Sequence, residues 1–573
     1  MPDSSRATPA AFNCEGGLVL NKSTFLMKAG EALELENFEP DISGGYRRIN
    51  GFAKHITPIV PQTSVTSEKV SMVAFFADKV MAARGEKIFT SAQTETFVKI
   101  SAQISMSGSG TITVDDTSGF STSGTLYIND EIFTYTGKTA TTFTGVTRAT
   151  SSTTAAEHLA NSNVSEDWTA IDTGRTSADK YALERFNFDG NDKIILVDRV
   201  NAPVVFNTSF AATDVSESSV AGAKHVVAYK GHMFYSGMSS TPQEIVFSQP
   251  FDEDAFSSGS GAGSIKVDDI ITGLKTFRDT MYIFCENRIF SLTGTSSANF
   301  AVTPVTRDIG CINGDSIQEF AGDLIFLGPD GLRTVAGTAR IGDVELGTIS
   351  TNVQSIFDAN IIDSELFDSI VIPDKTQYRI FFCKDGTSQG STQGIICVKK
   401  GNGFEFSKIR GIKPASTDTF IKAGNVKVLH GSFDGYVYTQ EKGNTFDGTA
   451  IFGKYRSPDL TFDDTGIRKH MQRVIVNYKP EAGIDADLFV KYDYEESEAS
   501  RPAAYPLDST DVVAIYGTSK YGEPTYGGVS QPLVRQAVEG SGFAVALRVN
   551  DGGETSPYSL KGFQLEYQTG ARR

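Results

Sequence analysis

The chain has 573 residues, 39% of them hydrophobic and 10% aromatic, with 55 glycines, 39 phenylalanines and a formal net charge of −17. A single ordinary core is excluded, since domains run to roughly 100–200 residues, and this composition suits many short strands joined by tight turns better than helices. The acidic balance opposes a grip on nucleic acid, whose phosphates are held by Lys and Arg, and no apolar run approaches the roughly 18 residues of a membrane span, so membrane insertion is not expected.

The start, Met1-Pro2-Asp3-Ser4-Ser5-Arg6, lacks the apolar stretch of a signal peptide. Residues 1–60 are read as an N-terminal arm leading into a propeller. From there a pattern recurs: a polar turn, a short aliphatic-aromatic strand, a second turn and another strand. It runs through Ala77–Ala82 with Lys87–Phe89, Asn191–Val197 with Pro203–Phe206, Lys230–Tyr235 with Glu244–Ser248, and Arg278–Phe284 with Arg288–Leu292. Gly322–Leu327 with Gly331–Val335, Thr376–Phe382 with Gly394–Val398, and Gly424–Leu429 with Gly435–Tyr438 complete it. After the first instance the spacing is roughly 40–50 residues, the length of one four-stranded propeller blade. The expectation is an all-β protein whose residues 61–100 and 166–445 form a β-propeller of about seven blades.

Residues 101–165 interrupt that spacing. Thr111–Val114, Gly124–Ile128 and Glu131–Thr136 alternate as half-buried strands do, which predicts a small inserted β module looped out between the first two blades. After about residue 445 the repeat stops, and longer alternating strands at Gln472–Tyr478, Asp487–Tyr492, Phe543–Val549 and Gly562–Tyr567 predict a C-terminal β-sandwich over 446–573. Helix is expected only at Ser355–Ile362 and Thr154–Leu159.

Signals for chemistry are few. The five cysteines, Cys14, Cys285, Cys311, Cys383 and Cys397, show no C-x-x-C spacing, and the six histidines form no close ligand pair, so no metal and no cofactor are expected. Gly137-Lys138-Thr139 has the tail of a phosphate loop, but Ile132 stands where its leading glycine belongs. Ser257–Ser264 is a Ser/Gly run read as a flexible loop between blades. The pairs Asp115-Asp116 and Asp463-Asp464 sit in turn-like surroundings and are assigned to turn chemistry. Trp168 is the single tryptophan, which leaves no Trp-Asp repeats and no tryptophan-ended aspartate boxes.

The stretch from Ile245–Ser248 through Asp269–Leu274, Tyr282–Phe284, Arg288–Gly294, Ile309–Cys311 and Phe326–Leu332 resembles the propeller core of phage tail-nozzle and packaged-DNA stabilisation proteins. Gly30–Pro40 with Gly44–Phe52 is similar to the leading segment of such virion proteins. Val114–Phe120 and Phe143–Arg148 resemble small β modules of phage structural proteins, and Lys469–Val474 with Ser556–Tyr567 resembles the sandwich that follows the propeller.

What this resemblance implies is not an enzyme. It implies a structural virion protein of a short-tailed phage, assembled in the host cytoplasm into a homo-oligomeric ring, commonly a hexamer, beneath the portal and adaptor. Tail fibres or tailspikes are further expected partners, with DNA passing transiently and non-specifically through the channel. Acidic groups at such a channel repel the genome and prevent sticking. The candidate channel-facing acids are Asp252, Glu253 and Asp254, and Asp115 and Asp116 of the insert, whose five acidic and two basic residues give it a net charge of −3. The alternatives are a glycan-binding or glycan-cleaving propeller for host recognition and an intracellular scaffold propeller.

Overall fold

A computed structural model describes residues 7–61, 69–94, 98–108, 110–129, 131–335, 348–361, 364, 366–383, 392–401, 403–422, 424–462, 464–481, 484–495, 502–507, 533–553 and 555–572. Strand dominates throughout, and the one α-helix among the described residues, α1 (Gln354–Ile361), falls at the first of the two expected places. The second, Thr154–Leu159, is not helical. His158 there bridges to Ile104, a β contact that takes the backbone groups a helix would use.

Each of the seven hairpins read from the sequence is present as an antiparallel pair, and each lies behind one further strand on its inner side. Those inner strands are Met72–Phe76, Ala182–Phe186, His225–Tyr229, Ile271–Phe277, Gln318–Phe320, Leu366–Ile372 and Pro414–Lys422. Local turn chemistry explains the repetition. The residue pairs Ala77/Asp78, Lys230/Gly231, Arg278/Asp279 and Ala321/Gly322 all have positive φ, from 45° to 80°, the type I′ geometry whose twist matches that of a two-residue hairpin.

The middle strands are apolar on both faces, so each sheet must be covered on both sides. Ile194 and Leu196 pack with Met81 and Ile88 of the first sheet, while Ile195 and Val197 pack with Met233 and Tyr235 of the third. The same sharing continues from the third sheet to the fourth through Phe234 and Ile283, and from the fourth to the fifth through Phe284 and Phe326. Leu327 and Tyr378 join the fifth and sixth, Phe381 and Val428 the sixth and seventh. Leu429 and Val437 of the seventh then pack on Val73 and Val80 of the first, closing the circle. Small sheets stacked face to face around an axis are the arrangement of a β-propeller.

The insert departs from its expected position. Trp168–Thr173 pairs with Lys87–Thr94, so the module is looped out between the third and fourth strands of the first sheet, not between the first two sheets. It has its own core, including Ile112, Leu126, Phe133, Phe143 and Val164. The Ser/Gly run also differs from expectation: Ser258–Ser260 is a single 3-10 turn and Gly263–Lys266 is the outer strand of the third sheet.

The N-terminal arm is built into the rest of the chain. Strand β1 (Thr8–Asn13) runs along Tyr558–Arg572. Strand β2 (Glu34–Glu36) lies between Gly403–Ile409 of the sixth sheet and Gly453–Arg456, so one continuous nine-stranded sheet crosses from the propeller into the C-terminal region. Strands β3 (Phe38–Pro40) and β4 (Tyr46–Arg48) join a seven-stranded sheet with Tyr558–Arg572 and Ile467–Pro480. Strand β5 (Phe52–Lys54) pairs with Val437–Gln440 and completes the seventh sheet, tying the arm to the last hairpin. Between the two large sheets lies a common core that includes Leu35, Phe38, Tyr46, Val476, Leu488, Leu547 and Phe563.

Ion pairs fix this joint. Arg379, fully buried, donates to Gln377 Oε1 at 2.7 Å and Glu441 Oε1 at 2.5 Å, and meets Glu39 Oε2 at 3.4 Å. Lys375 bridges the same two carboxylates at 2.7 and 2.5 Å. Just ahead of β5, a Cβ on Gly51 would stand 1.9 Å from the Thr445 carbonyl oxygen. Backbone cannot retreat as a flexible side chain can, so Gly51→Ala is expected to cost about 1–3 kcal/mol, against no more than about 0.5 kcal/mol for an open surface site. Gly119, with nothing within 4 Å of its Cβ position, is such a site. Urea unfolding of the two alanine variants checks the contrast.

Candidate functional site

The inner strands of the seven sheets surround one cavity of about 820 Å³. Its residues carry no signal in the sequence, because their polar groups are spread over six of the seven sheets and no local spacing marks them. Chain folding collects them. Arg185 of the second sheet donates from Nε to the Phe75 carbonyl at 3.0 Å and pairs with Asp418 of the seventh, while the Phe75 amide donates to Asp418 Oδ2 at 2.8 Å. One arginine thereby ties three neighbouring sheets. Burial pushes the Asp418 carboxyl up, opposed by Arg185.

Similar ties run around the ring. Thr419 donates to the Val371 carbonyl at 3.0 Å, Gln318 to the Ser369 carbonyl at 3.0 Å, and Thr276 to the Ala228 carbonyl at 3.2 Å. Between the fourth and fifth sheets the backbones themselves meet, and a Cβ on Gly314 would lie 2.2 Å from the Thr272 carbonyl oxygen. Arg199 reaches Asp315 at 3.0 Å. Burial raises the Asp315 carboxyl, but Lys180, Arg199 and His225 more than offset it and hold it below the usual range. His225, half-buried and facing Arg199, is pushed down to about 4 by desolvation and that charge, so it is neutral near pH 7. Lys180 joins Asp368 at 2.7 Å from the opposite wall.

The cavity is thus braced by groups that bond one another. Its volume is that of a small-molecule site, about 300–1,000 Å³, and does not admit a DNA duplex. Among the described residues no group of three or more His, Cys, Asp or Glu could hold a metal ion.

None of the five acids read from the sequence lines this cavity. Asp115 is exposed and caps the Lys99 and Asp116 amides at 2.8 and 3.1 Å; Asp116, also exposed, accepts from the Ser118 amide and hydroxyl at 2.8 and 2.6 Å. Asp252 is exposed, and Asp254 accepts from the Ser216 amide at 2.7 Å. Glu253, read from the sequence as channel-facing, is 9% exposed, and Lys193 of the second sheet holds it at 2.8 Å. Of the other motifs, Lys138 in Gly137-Lys138-Thr139 donates to the Thr117 carbonyl at 2.7 Å, which is a structural use. Asp464 caps the Gly466 amide at 2.8 Å, and Asp463 lies outside the described residues.

The insert carries a buried knot that its sequence does not reveal. Arg148 grips Glu131 through two hydrogen bonds of 2.9 and 2.7 Å, and His158 Nε2 lies 2.8 Å from Glu131 Oε2. Burial raises the Glu131 carboxyl, but Arg148, the Ala156 amide and His158 outweigh it and bring it down to about 2. The folded value is depressed, so its stabilising effect is fully present above the unfolded carboxylate range of about 4.3. That contribution is lost as the pH falls through about 2. Glu131→Gln leaves Arg148 without its counter-charge and is expected to cost the module about 3–5 kcal/mol. Hydrogen exchange is expected to rise across 101–165 at pH 7 while the propeller stays protected; unchanged protection in the insert contradicts this.

No family model and no curated protein matches the chain. Among solved structures it is similar to Raptor of Chaetomium thermophilum at 9% identity and a TM-score of 0.30, over 60% of this chain and 28% of that one. It is similar to Hsv2 of Kluyveromyces lactis at 8% identity and a TM-score of 0.27, over 60% and 98%. PorZ, a surface component of the type-IX secretion system of Porphyromonas gingivalis, aligns at 10% identity and a TM-score of 0.27, over 69% and 44%. The chain spans less than a third of the Raptor chain, and likenesses this weak carry no argument; the propeller arrangement rests on the sheet order and the shared cores.

Proposed function

We propose that the chain is a structural virion protein: one subunit of the nozzle or tail-tube ring of a short-tailed phage, attached below portal and adaptor and enclosing the path by which the genome is retained and ejected. In this reading the seven sheets are the blades of a seven-bladed propeller, and 446–573 with the N-terminal strands is a β-sandwich.

The observation that carries it is the continuous nine-stranded sheet through β2, which welds the propeller and the C-terminal sheets into a single stiff body. Domains that must move are joined by linkers with few crossing contacts; here the joint is sheet, core and buried charge. A rigid wedge repeated head to tail closes into a ring. With −17 on each subunit, the ring repels DNA instead of holding it. Asp115, Asp116 and Asp252 remain as exposed acids for the lumen, Asp254 is half-buried against Ser216, and Glu253 is buried. A glycan-cleaving role needs two carboxylates facing a sugar, whereas Asp315 and Asp368 in the cavity are engaged by Arg199 and Lys180.

Native mass spectrometry of the purified chain with a portal–adaptor assembly is expected to give closed rings without turnover of glycans; a monomer under all conditions, or glycan cleavage, refutes the assignment. Changing the three exposed aspartates, Asp115, Asp116 and Asp252, to asparagine is expected to leave ring formation intact and to slow ejection in a single-particle assay. Unchanged ejection kinetics would remove the charge argument.

A further inference from the structure

Near the axis, one amine and one carboxyl are held together out of water. Lys180 stands just ahead of the inner strand of the second sheet, with its side chain 5% exposed. Its Nζ meets Asp368 Oδ1 at 2.7 Å and also reaches the Phe367 and Ala415 carbonyls at 3.1 and 3.4 Å. Three sheets therefore converge on one nitrogen. The Asp368 side chain is 8% exposed, and its second oxygen, Oδ2, is buried without a well-formed hydrogen bond. The Thr417 hydroxyl beside it is directed to the Ser369 carbonyl at 3.3 Å.

An anion in that position is removed from water, with Lys180 and the Thr417 hydroxyl beside it, which favours the neutral acid. Burial accordingly pushes the Asp368 carboxyl up against the pull of Lys180. Asp315, half-buried, interacts electrostatically with both partners and is anchored by Arg199.

We propose that Lys180 Nζ and Asp368 Cγ join in a spontaneous intramolecular isopeptide bond, with Asp315 as the neighbouring carboxylate that relays the proton. A nitrogen hydrogen-bonded to one carboxyl oxygen lies about 3–3.5 Å from the carboxyl carbon, a near-attack distance. The reacting forms are the neutral amine and the neutral acid, reached when one proton moves along the hydrogen bond. The C–N bond forms, one nitrogen proton passes through Asp315 to the carboxyl hydroxyl, the C–O bond breaks, and one water leaves. The other proton stays on the amide nitrogen, and no oxidant or second reagent is needed. The product replaces a buried charge pair by a neutral amide and ties the second sheet covalently to the sixth across the ring. Nothing in this chemistry depends on the tail assignment.

Mass spectrometry of the intact full chain, held at neutral pH, is expected to show a species one water lighter than its sequence requires. Trypsin is expected to skip Lys180 and release a branched peptide that joins it to the segment carrying Asp368. Lys180→Arg and Asp368→Ala each restore the full mass and the slower migration of an uncrosslinked chain in denaturing electrophoresis. Wild type at full sequence mass, yielding only linear peptides over Lys180 and Asp368, overturns the proposal without any variant having to fold.

Discussion

Replacing Arg48 by alanine is expected to destabilise the joint between arm and C-terminal sheets by about 3–5 kcal/mol. Arg48 and Asp551 are both fully buried and meet at 2.7 Å, and Arg48 also donates to the Gly553 carbonyl at 3.0 Å and to the Thr555 carbonyl. Burial already raises the Asp551 carboxyl, with Arg48 as the main opposing charge. Without Arg48 an uncompensated carboxylate is left in the interior, and it must take up a proton on folding. Stability of the variant is therefore expected to fall as pH rises past the unfolded carboxylate range, more steeply than the raised Asp551 carboxyl of the wild type makes it fall. Removing both partners is different. Arg48→Met with Asp551→Leu replaces the pair by apolar volume and is expected to lie within about 1–2 kcal/mol of wild type. Calorimetry of the single and double variants measures the coupling directly; equal losses in both contradict it.

Deleting residues 1–54 is expected to abolish the folded state altogether. The deletion removes β1 to β5 together with buried Leu18, Leu35, Phe38, Tyr46 and Ile49, splits the nine-stranded sheet, and leaves Val437–Gln440 as an open edge. Open strand edges promote aggregation, so the truncated chain is expected in the insoluble fraction. Adding the 1–54 segment as a separate peptide during refolding is expected to recover soluble protein. A gentler version is Ala53→Pro. His55 donates to the Val437 carbonyl at 2.8 Å, and antiparallel alternation places the Ala53 amide on Thr439. Proline lacks that donor, and the orphaned carbonyl costs about 1–3 kcal/mol. A truncated chain that unfolds cooperatively near the wild-type midpoint refutes this role for the arm.

The repeat of hairpins is legible in the sequence because it is local: a polar turn with positive φ, then strands of apolar residues, as at Lys230–Gly231 with His232–Ser236. The arm is legible only as an arm. Its strands β2 to β5 have three residues each, too short for periodicity, and β2 pairs with residues more than 350 positions away. The same limit hides the cavity. Arg185, Lys180, Asp315, Asp368 and Asp418 come from four different sheets or their approaches, and nothing beside any of them in sequence signals the others. The run Asp252-Glu253-Asp254 reads as uniform charge, yet Lys193, 60 positions earlier, buries the middle residue. The insert is recognisable by composition, but its point of departure inside the first sheet is set by Trp168. That residue returns the chain to Lys87–Thr94, and its indole N–H reaches the Pro58 carbonyl at 3.1 Å.

Electron cryomicroscopy of intact, purified particles at side-chain resolution tests the tail assignment most directly. The expected density is a closed ring of this chain below the portal and adaptor, each subunit keeping the sheet through β2 unbroken and turning exposed aspartates toward the axis. Particles that contain no copy of the chain, or copies only as isolated monomers on the outer surface, contradict it.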